Sequence, residues 1–78
     1  MARPAKHPNL VKLGQRIRAA RLDLDWSQEH LADKCEIDRS YIGGVERGER
    51  NVSFTTLCKI AFALGLTAPQ LTKGIPHD

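Results

Sequence analysis

The chain has 78 residues, 12 of them Lys or Arg and 9 Asp or Glu, for a formal net charge of +3. That is one small domain, since a second core would need roughly 50 more residues, and so short a chain leaves little room for a substrate cleft of ~300 Å³ or more. No apolar run approaches the ~18 residues of a membrane-spanning helix, the opening Met-Ala-Arg-Pro-Ala-Lys-His-Pro lacks a secretory apolar stretch, and 27% charged residues, close to the globular average, argue against wholesale disorder. A cytoplasmic binding module without a membrane partner is expected.

Residues 1–8 read as a flexible basic arm, 9–72 as the folded domain and 73–78 as a short tail. All four prolines (Pro4, Pro8, Pro69, Pro76) lie near the ends, so residues 9–68 contain no such helix breaker. No segment alternates apolar and polar residues over five positions, as a half-buried strand would. Leu10, Leu13, Ile17, Ala20 and Leu24 repeat at three or four and predict a first helix from about Asn9 to Leu24. Leu31, Ala32 and Cys35 mark a second helix from about Ser27 to Cys35. Ile42 and Val45 mark a third from Asp38 to Arg47. Leu57, Ile60, Ala61 and Leu64 mark a longer fourth, and a last turn falls near Ala68–Thr72.

The helix starts share one device. Trp26-Ser27 with Leu31, Ile37-Asp38 with Ile42, Val52-Ser53 with Leu57 and Leu66-Thr67 with Leu71 each place an apolar residue before a Ser, Thr or Asp. A second apolar residue follows five positions later, the spacing of the hydrophobic staple, with the cap side chain accepting an otherwise unpaired amide. Helices two and three are then separated only by Glu36-Ile37, so they must cross steeply, as in a helix-turn-helix. A left-handed backbone is expected in that turn, where Glu36 in place of Gly costs on the order of 1 kcal/mol.

The fourth helix carries a second apolar stripe, Phe54–Cys58–Phe62, besides Leu57, Ile60 and Leu64. A surface helix in a small domain needs one stripe. Either the helix is central and packed on both sides, or part of it meets another chain. Phe62, Leu66, Leu71 and Ile75 are the candidate subunit interface. Cys35 and Cys58 fall within apolar helical patterns and read as reduced thiols. His7, His30 and His77 are scattered, with no ligand spacing for zinc, so neither a metal nor a cofactor is expected.

The charge is unevenly placed. Residues 1–21 hold Arg3, Lys6, Lys12, Arg16, Arg18 and Arg21 with no acid, while the rest of the chain sums to −3. Such a run is either a solvated face or an approach to a phosphate backbone. Turned at 100° per residue, the third helix points Ile42 and Val45 inward and Arg39, Ser40, Gly43, Gly44 and Arg47 outward, with Tyr41 between. Two glycines inside a helix cost about 1 kcal/mol each relative to Ala. They either ease helix packing or let the backbone approach a groove. In a major groove Arg39 would span guanine O6 and N7, Ser40 would serve either partner of a pair, Tyr41 would meet a thymine methyl or a phosphate, and Gly44 would approach through its backbone. Gln28 at the start of helix two, Lys12, Arg16 and the loop residues Arg47, Arg50 and Asn51 are the candidate phosphate contacts.

These residues carry a resemblance. Trp26-Ser27-Gln28-Glu29-His30-Leu31-Ala32 through Asp38-Arg39-Ser40-Tyr41-Ile42 to Val45-Glu46-Arg47-Gly48, with Leu57 to Leu66, resembles the repressor/Cro-type helix-turn-helix, the XRE family of bacterial and phage regulators. The run from Asp38 to Ser53 is also similar to controller proteins of restriction–modification systems. The resemblance spans about residues 10–71. It implies an all-α, five-helix, lambda-repressor-like domain that reads a near-palindromic operator in double-stranded DNA as a homodimer. By position, Gln28, Arg39 and Ser40 match base- or phosphate-contacting sites. Arg21 and Glu46 match an internal ion pair tying helix one to the recognition helix. Glu36, Gly43-Gly44 and Val52 depart from the family pattern.

The expected function is therefore a non-enzymatic, sequence-specific transcription regulator, autoregulatory if it is a controller, with the Arg47–Asn51 loop as the surface for RNA polymerase if it activates. The rival is a protein-interaction module of the same fold, of antitoxin or bridging-factor type, with weak non-specific DNA binding. An enzyme is disfavoured: Ser40, His30 and Asp33 are the only triad-like types close in sequence, and no Gly-x-Ser-x-Gly elbow or phosphate loop accompanies them.

Overall fold

The computed structural model describes residues 6–76. Five helices follow one another: α1 (Pro8–Asp23), α2 (Gln28–Cys35), α3 (Arg39–Glu46), α4 (Phe54–Ala63) and α5 (Ala68–Thr72). The described residues contain no strand. The fold class is the expected one, with boundaries shifted by a residue or so.

Local chemistry sets those boundaries. Ser27 accepts from the His30 amide, Asp38 from Ser40, Ser53 from Thr56 and Thr67 from Gln70. Each cap side chain thus satisfies an amide that the helix leaves unpaired. The residue before each cap (Trp26, Ile37, Val52, Leu66) is partly buried against the core. At α1 the cap is His7, whose Nδ1 accepts from the Asn9 amide at 3.1 Å. Pro8 therefore opens the helix rather than closing an arm, in the one position where its missing N–H is harmless. Of the expected arm and tail, residues 1–5 and 77–78 lie outside the described residues. Ile75 packs on the core, so the described part of the tail is tied to the domain.

The turn between α2 and α3 takes the left-handed backbone at Glu36, φ 56° and ψ 43°, and the Ile37 amide reaches back to the Ala32 carbonyl at 3.0 Å. A second left-handed residue, Asp25 (φ 58°), closes α1, with the Trp26 amide on the Arg21 carbonyl. Both follow the Schellman pattern that ends a helix while satisfying its last carbonyls.

Every helix contributes to one core. Leu13 and Ile17 enter from α1, Leu31, Ala32 and Cys35 from α2, Ile42 and Val45 from α3, Leu57, Ile60 and Ala61 from α4, and Leu71 from α5. α1 packs against α3 and α5, α2 against α3 and α4, and α4 against α5. The α1–α3 contact depends on Gly14: a Cβ there would collide with the main-chain carbonyls of Val45 and Glu46. With its aliphatic side held between α1 and α2, α3 presents its first turn outward.

The second stripe of α4 is not packed by its own chain. Phe54 is 71% and Phe62 86% exposed, which removes the reading of α4 as a helix buried on both sides.

Candidate nucleic-acid interface

Arg39 and Ser40, in the first turn of α3, are exposed. The Asp38 carboxylate holds that turn in place: its Oδ1 accepts from the Ser40 amide at 2.8 Å and from the Ser40 hydroxyl at 2.7 Å. These two bonds, the hydroxyl first, hold the Asp38 carboxyl below its ordinary range. The expectation that Ser40 serves either base partner narrows accordingly. Its proton is committed to Asp38, and its free lone pairs offer an acceptor, suited to the exocyclic amine of adenine or cytosine.

The second turn differs from expectation. Gly43 and Gly44 are buried, not open ground for a backbone approach. The place of a Cβ on Gly43 lies 3.0 Å from Arg47 Nη1 and 3.5 Å from Gln28 Oε1. The place of a Cβ on Gly44 lies 2.9 Å from Arg50 Cγ. Long polar side chains from α2 and from the α3–α4 loop cover the glycines. Gly44 therefore does not face out as a backbone reader; Arg50 stands over it.

Behind this surface lies the Arg21–Glu46 pair. Arg21 Nε donates to Glu46 Oε2 at 2.7 Å and Nη2 to Oε1 at 3.0 Å, while Nη1 donates to the Trp26 carbonyl at 2.7 Å. Both residues are buried, at 7% and 6% exposure. The hydrogen bond to Glu46, helped by its charge, raises the Arg21 pKa against the opposing effect of burial. Gln28 Nε2 completes the group, donating to Glu46 Oε1 at 3.0 Å. One hydrogen of that amide is thus directed inward, and only the other is available to a phosphate. Among the described residues no buried side-chain nitrogen or oxygen lacks a partner.

In the loop, Arg47 Nε donates to Glu49 Oε1 at 3.1 Å, and Lys6 Nζ lies 3.8 Å from Glu49 Oε2. Arg50 and Asn51 are exposed beside them. Lys12 and Arg16 are elsewhere. Each is two positions from Gly14, hence roughly 160° around α1 from the side that touches α3. Arg16 Nη2 donates to the Lys73 carbonyl at 2.6 Å, and both side chains flank Gly74. Their positive charge was legible, but the structure does not bring them to the α3 face. Sequence reasoning lacked the α1–α3 contact at Gly14 that decides which way α1 is turned.

The subunit candidates also separate. Phe62 is open, and Leu66 and Ile75 are half-buried. Leu71, at 2% exposure, belongs to the core, because it is the residue by which α5 docks on the domain. Phe54 joins Phe62 on the open stripe, a place its i, i+8 spacing already allowed. The triad-like set does not assemble: Ser40 bonds Asp38, and the His30 ring lies against Trp26 with centroids 4.7 Å apart. No group of three or more His, Cys, Asp or Glu among the described residues is arranged to hold a metal, and no helix among them is long and apolar enough to cross a membrane.

Known proteins share this arrangement. The helix-turn-helix family HTH_3 matches residues 17–71. A hypothetical transcription factor of Neisseria meningitidis is 42% identical over 59 residues, 76% of this chain, which spans 56% of that protein's length. The crystal structure of the restriction–modification controller protein C.AhdI from Aeromonas hydrophila is 49% identical with a TM-score of 0.81, covering 83% of this chain and 98% of that one. The controller C.Esp1396I, solved as a tetramer in complex with its natural 35 base-pair operator, is 33% identical with a TM-score of 0.78, over 85% of this chain and 87% of that one. With α2 and α3 as its two-helix motif, the chain belongs to the XRE-type helix-turn-helix family.

Proposed function

We propose that the chain is a single-domain transcription regulator that binds double-stranded DNA as a homodimer, each protomer laying α3 in the major groove of one half of a near-palindromic operator. The observation that carries this is the division of α3 itself. Ile42 and Val45 are sealed in the core, while Arg39 and Ser40 are exposed to solvent at the end capped by Asp38. A groove-inserted helix reads bases from its first turns, and two half-sites one helical turn (~34–36 Å) or a multiple apart would accept the two protomers. The start of α2, where the Gln28 side chain lies beside Gly43 of α3, offers backbone amides that suit a phosphate. The likeness to an operator-bound controller supports the same reading.

Sites selected from random duplex DNA, followed by a gel-shift series, test it. Arg39→Ala is expected to lose discrimination at one position per half-site, worth about 1–3 kcal/mol for a bidentate contact. If the parent binds all duplexes alike and releases them at moderate salt, a protein-interaction role takes precedence.

A further inference from the structure

Glu49 is the acid in a loop whose cations, Arg47 and Arg50, are candidate contacts for the DNA backbone. Main-chain contacts fix its place. Gly48, with φ +77°, brings the loop backbone against α1, where a Cβ would stand 2.8 Å from Val11 Cα. The Glu49 amide then donates to the Gly44 carbonyl of α3 at 2.9 Å. From this junction the carboxylate reaches two cations that are far apart in sequence. Oε1 accepts from Arg47 Nε at 3.1 Å, and Oε2 lies 3.8 Å from Nζ of Lys6, two residues before α1 begins. These contacts differ from the Arg21–Glu46 pair, which is buried and bonded at two points. Lys6 and Arg47 are exposed, and Glu49 meets each at one point. Open pairs of this kind contribute little to stability and exchange readily.

Arg47 also lies near the start of α2. Its Nη1 is 3.0 Å from the place of a Cβ on Gly43, and Gln28 Oε1 is 3.5 Å from the same point. A phosphate bound by the first amides of α2 would therefore meet this guanidinium as well. Carboxylate and phosphate offer an arginine or a lysine the same thing, anionic oxygens at hydrogen-bond distance. We infer that Glu49 is a built-in competitor of the DNA phosphate, holding Arg47 and Lys6 in the free protein and yielding them when a duplex binds. Breaking those pairs lowers affinity for every duplex by a similar factor, while base preference stays with the first turn of α3. Binding that depends on phosphates alone is thereby kept weak. A supporting role, in which Glu49 aligns Arg47 for the phosphate, predicts the opposite sign. The inference rests on the DNA-reading function proposed above.

The test titrates the full chain against the operator selected by the parent and against an unrelated duplex, at several salt concentrations. Glu49→Gln keeps the size of the side chain and removes its charge. It should bind both duplexes roughly 2- to 10-fold more tightly, with the parent's base preference and the parent's Tm. The slope of log K against log salt should steepen by up to about one unit, because no carboxylate remains to take up a cation when its partners move to phosphates. In a Lys6→Ala, Arg47→Ala background the same change should give almost no gain. Weaker binding by Glu49→Gln would make Glu49 a support for Arg47, and unchanged binding would make its contacts idle; either result overturns the inference. So would a full gain in the double-alanine background, which leaves only repulsion between Glu49 and DNA. A parent that binds no duplex would instead remove the DNA-reading function itself, a different result from a binding parent that Glu49→Gln leaves unchanged.

Discussion

Glu46 is the residue on which the reading surface turns. Its two oxygens receive three hydrogen bonds, two from Arg21 and one from Gln28, and thereby connect α1, α2 and the end of α3. Glu46→Gln would keep the shape, but an amide nitrogen would then face donors and the buried guanidinium would lose its counter-charge. Breaking one side of a buried pair costs about 3–5 kcal/mol, a large part of the ~5–15 kcal/mol that holds a typical domain. A fall in Tm of more than ~10 °C is expected, since 1 kcal/mol shifts a domain of this size by ~4–8 °C. A variant melting within a degree or two of the parent would show that the pair contributes little. Cys35 gives a second residue-scale prediction. Burial pushes its thiol above the ordinary 9.0, with Lys59 opposing. A folded-state pKa raised in this way contributes stability that is complete below pH 9 and lost as pH rises through the folded value, because the unfolded thiol ionises first. Urea midpoints at pH 8 and pH 10 should therefore fall more steeply for the parent than for Cys35→Ala. Equal slopes would mean the thiol is not shielded.

At the scale of elements, the glycines of α1 and α3 separate two kinds of packing. Gly14 meets backbone on α3, which cannot give way, whereas the space above Gly43 ends on the tip of Arg47. Gly14→Ala is expected to destabilise by at least the ~1–3 kcal/mol of an overpacked contact. Gly43→Ala should instead stabilise by up to ~1 kcal/mol through helix propensity. Denaturant titration of both variants checks the opposite signs, and a stabilised Gly14→Ala protein would contradict the α1–α3 contact. The same contrast explains what the sequence made legible. The caps at Ser27, Asp38, Ser53 and Thr67 act over two or three residues, so residue order alone locates them. The left-handed turn at Glu36 follows from how little chain joins two capped helices. What lies over Gly43 and Gly44 was not legible, because Arg47 and Arg50 come from a loop whose path depends on tertiary packing. The placement of Lys12 and Arg16 beside Lys73 and Gly74 was not legible for a related reason. Periodicity orders the faces of α1 relative to one another, but only a contact with α3 fixes which of them looks toward DNA.

For the whole molecule, the exposed stripe of α4 is the face we propose for pairing with a second copy. Phe54 and Phe62 lie eight residues apart, about 12 Å along the helix, with half-buried Cys58 between them. Two-fold pairing of this face would cover four phenylalanines, each worth roughly 1.5–3 kcal/mol on full burial, against an association cost of about 4–15 kcal/mol. Gain and cost are of similar size, so the dimer we propose should dissociate on dilution and be favoured by an operator that binds both copies. Phe62→Glu tests this without touching the core, since Phe62 is 86% exposed in the protomer. The variant should keep its helical content and Tm, sediment at 8.7 kDa at concentrations where the parent approaches twice that mass, and bind a complete operator no better than a half-site. The linkage between half-sites that it gives up is commonly worth 10²–10⁴-fold in affinity. A Phe62→Glu protein that still sediments as a dimer would place the subunit contact on another face. The Arg39-bearing helices would then be set apart by a geometry that the α4 stripe does not determine.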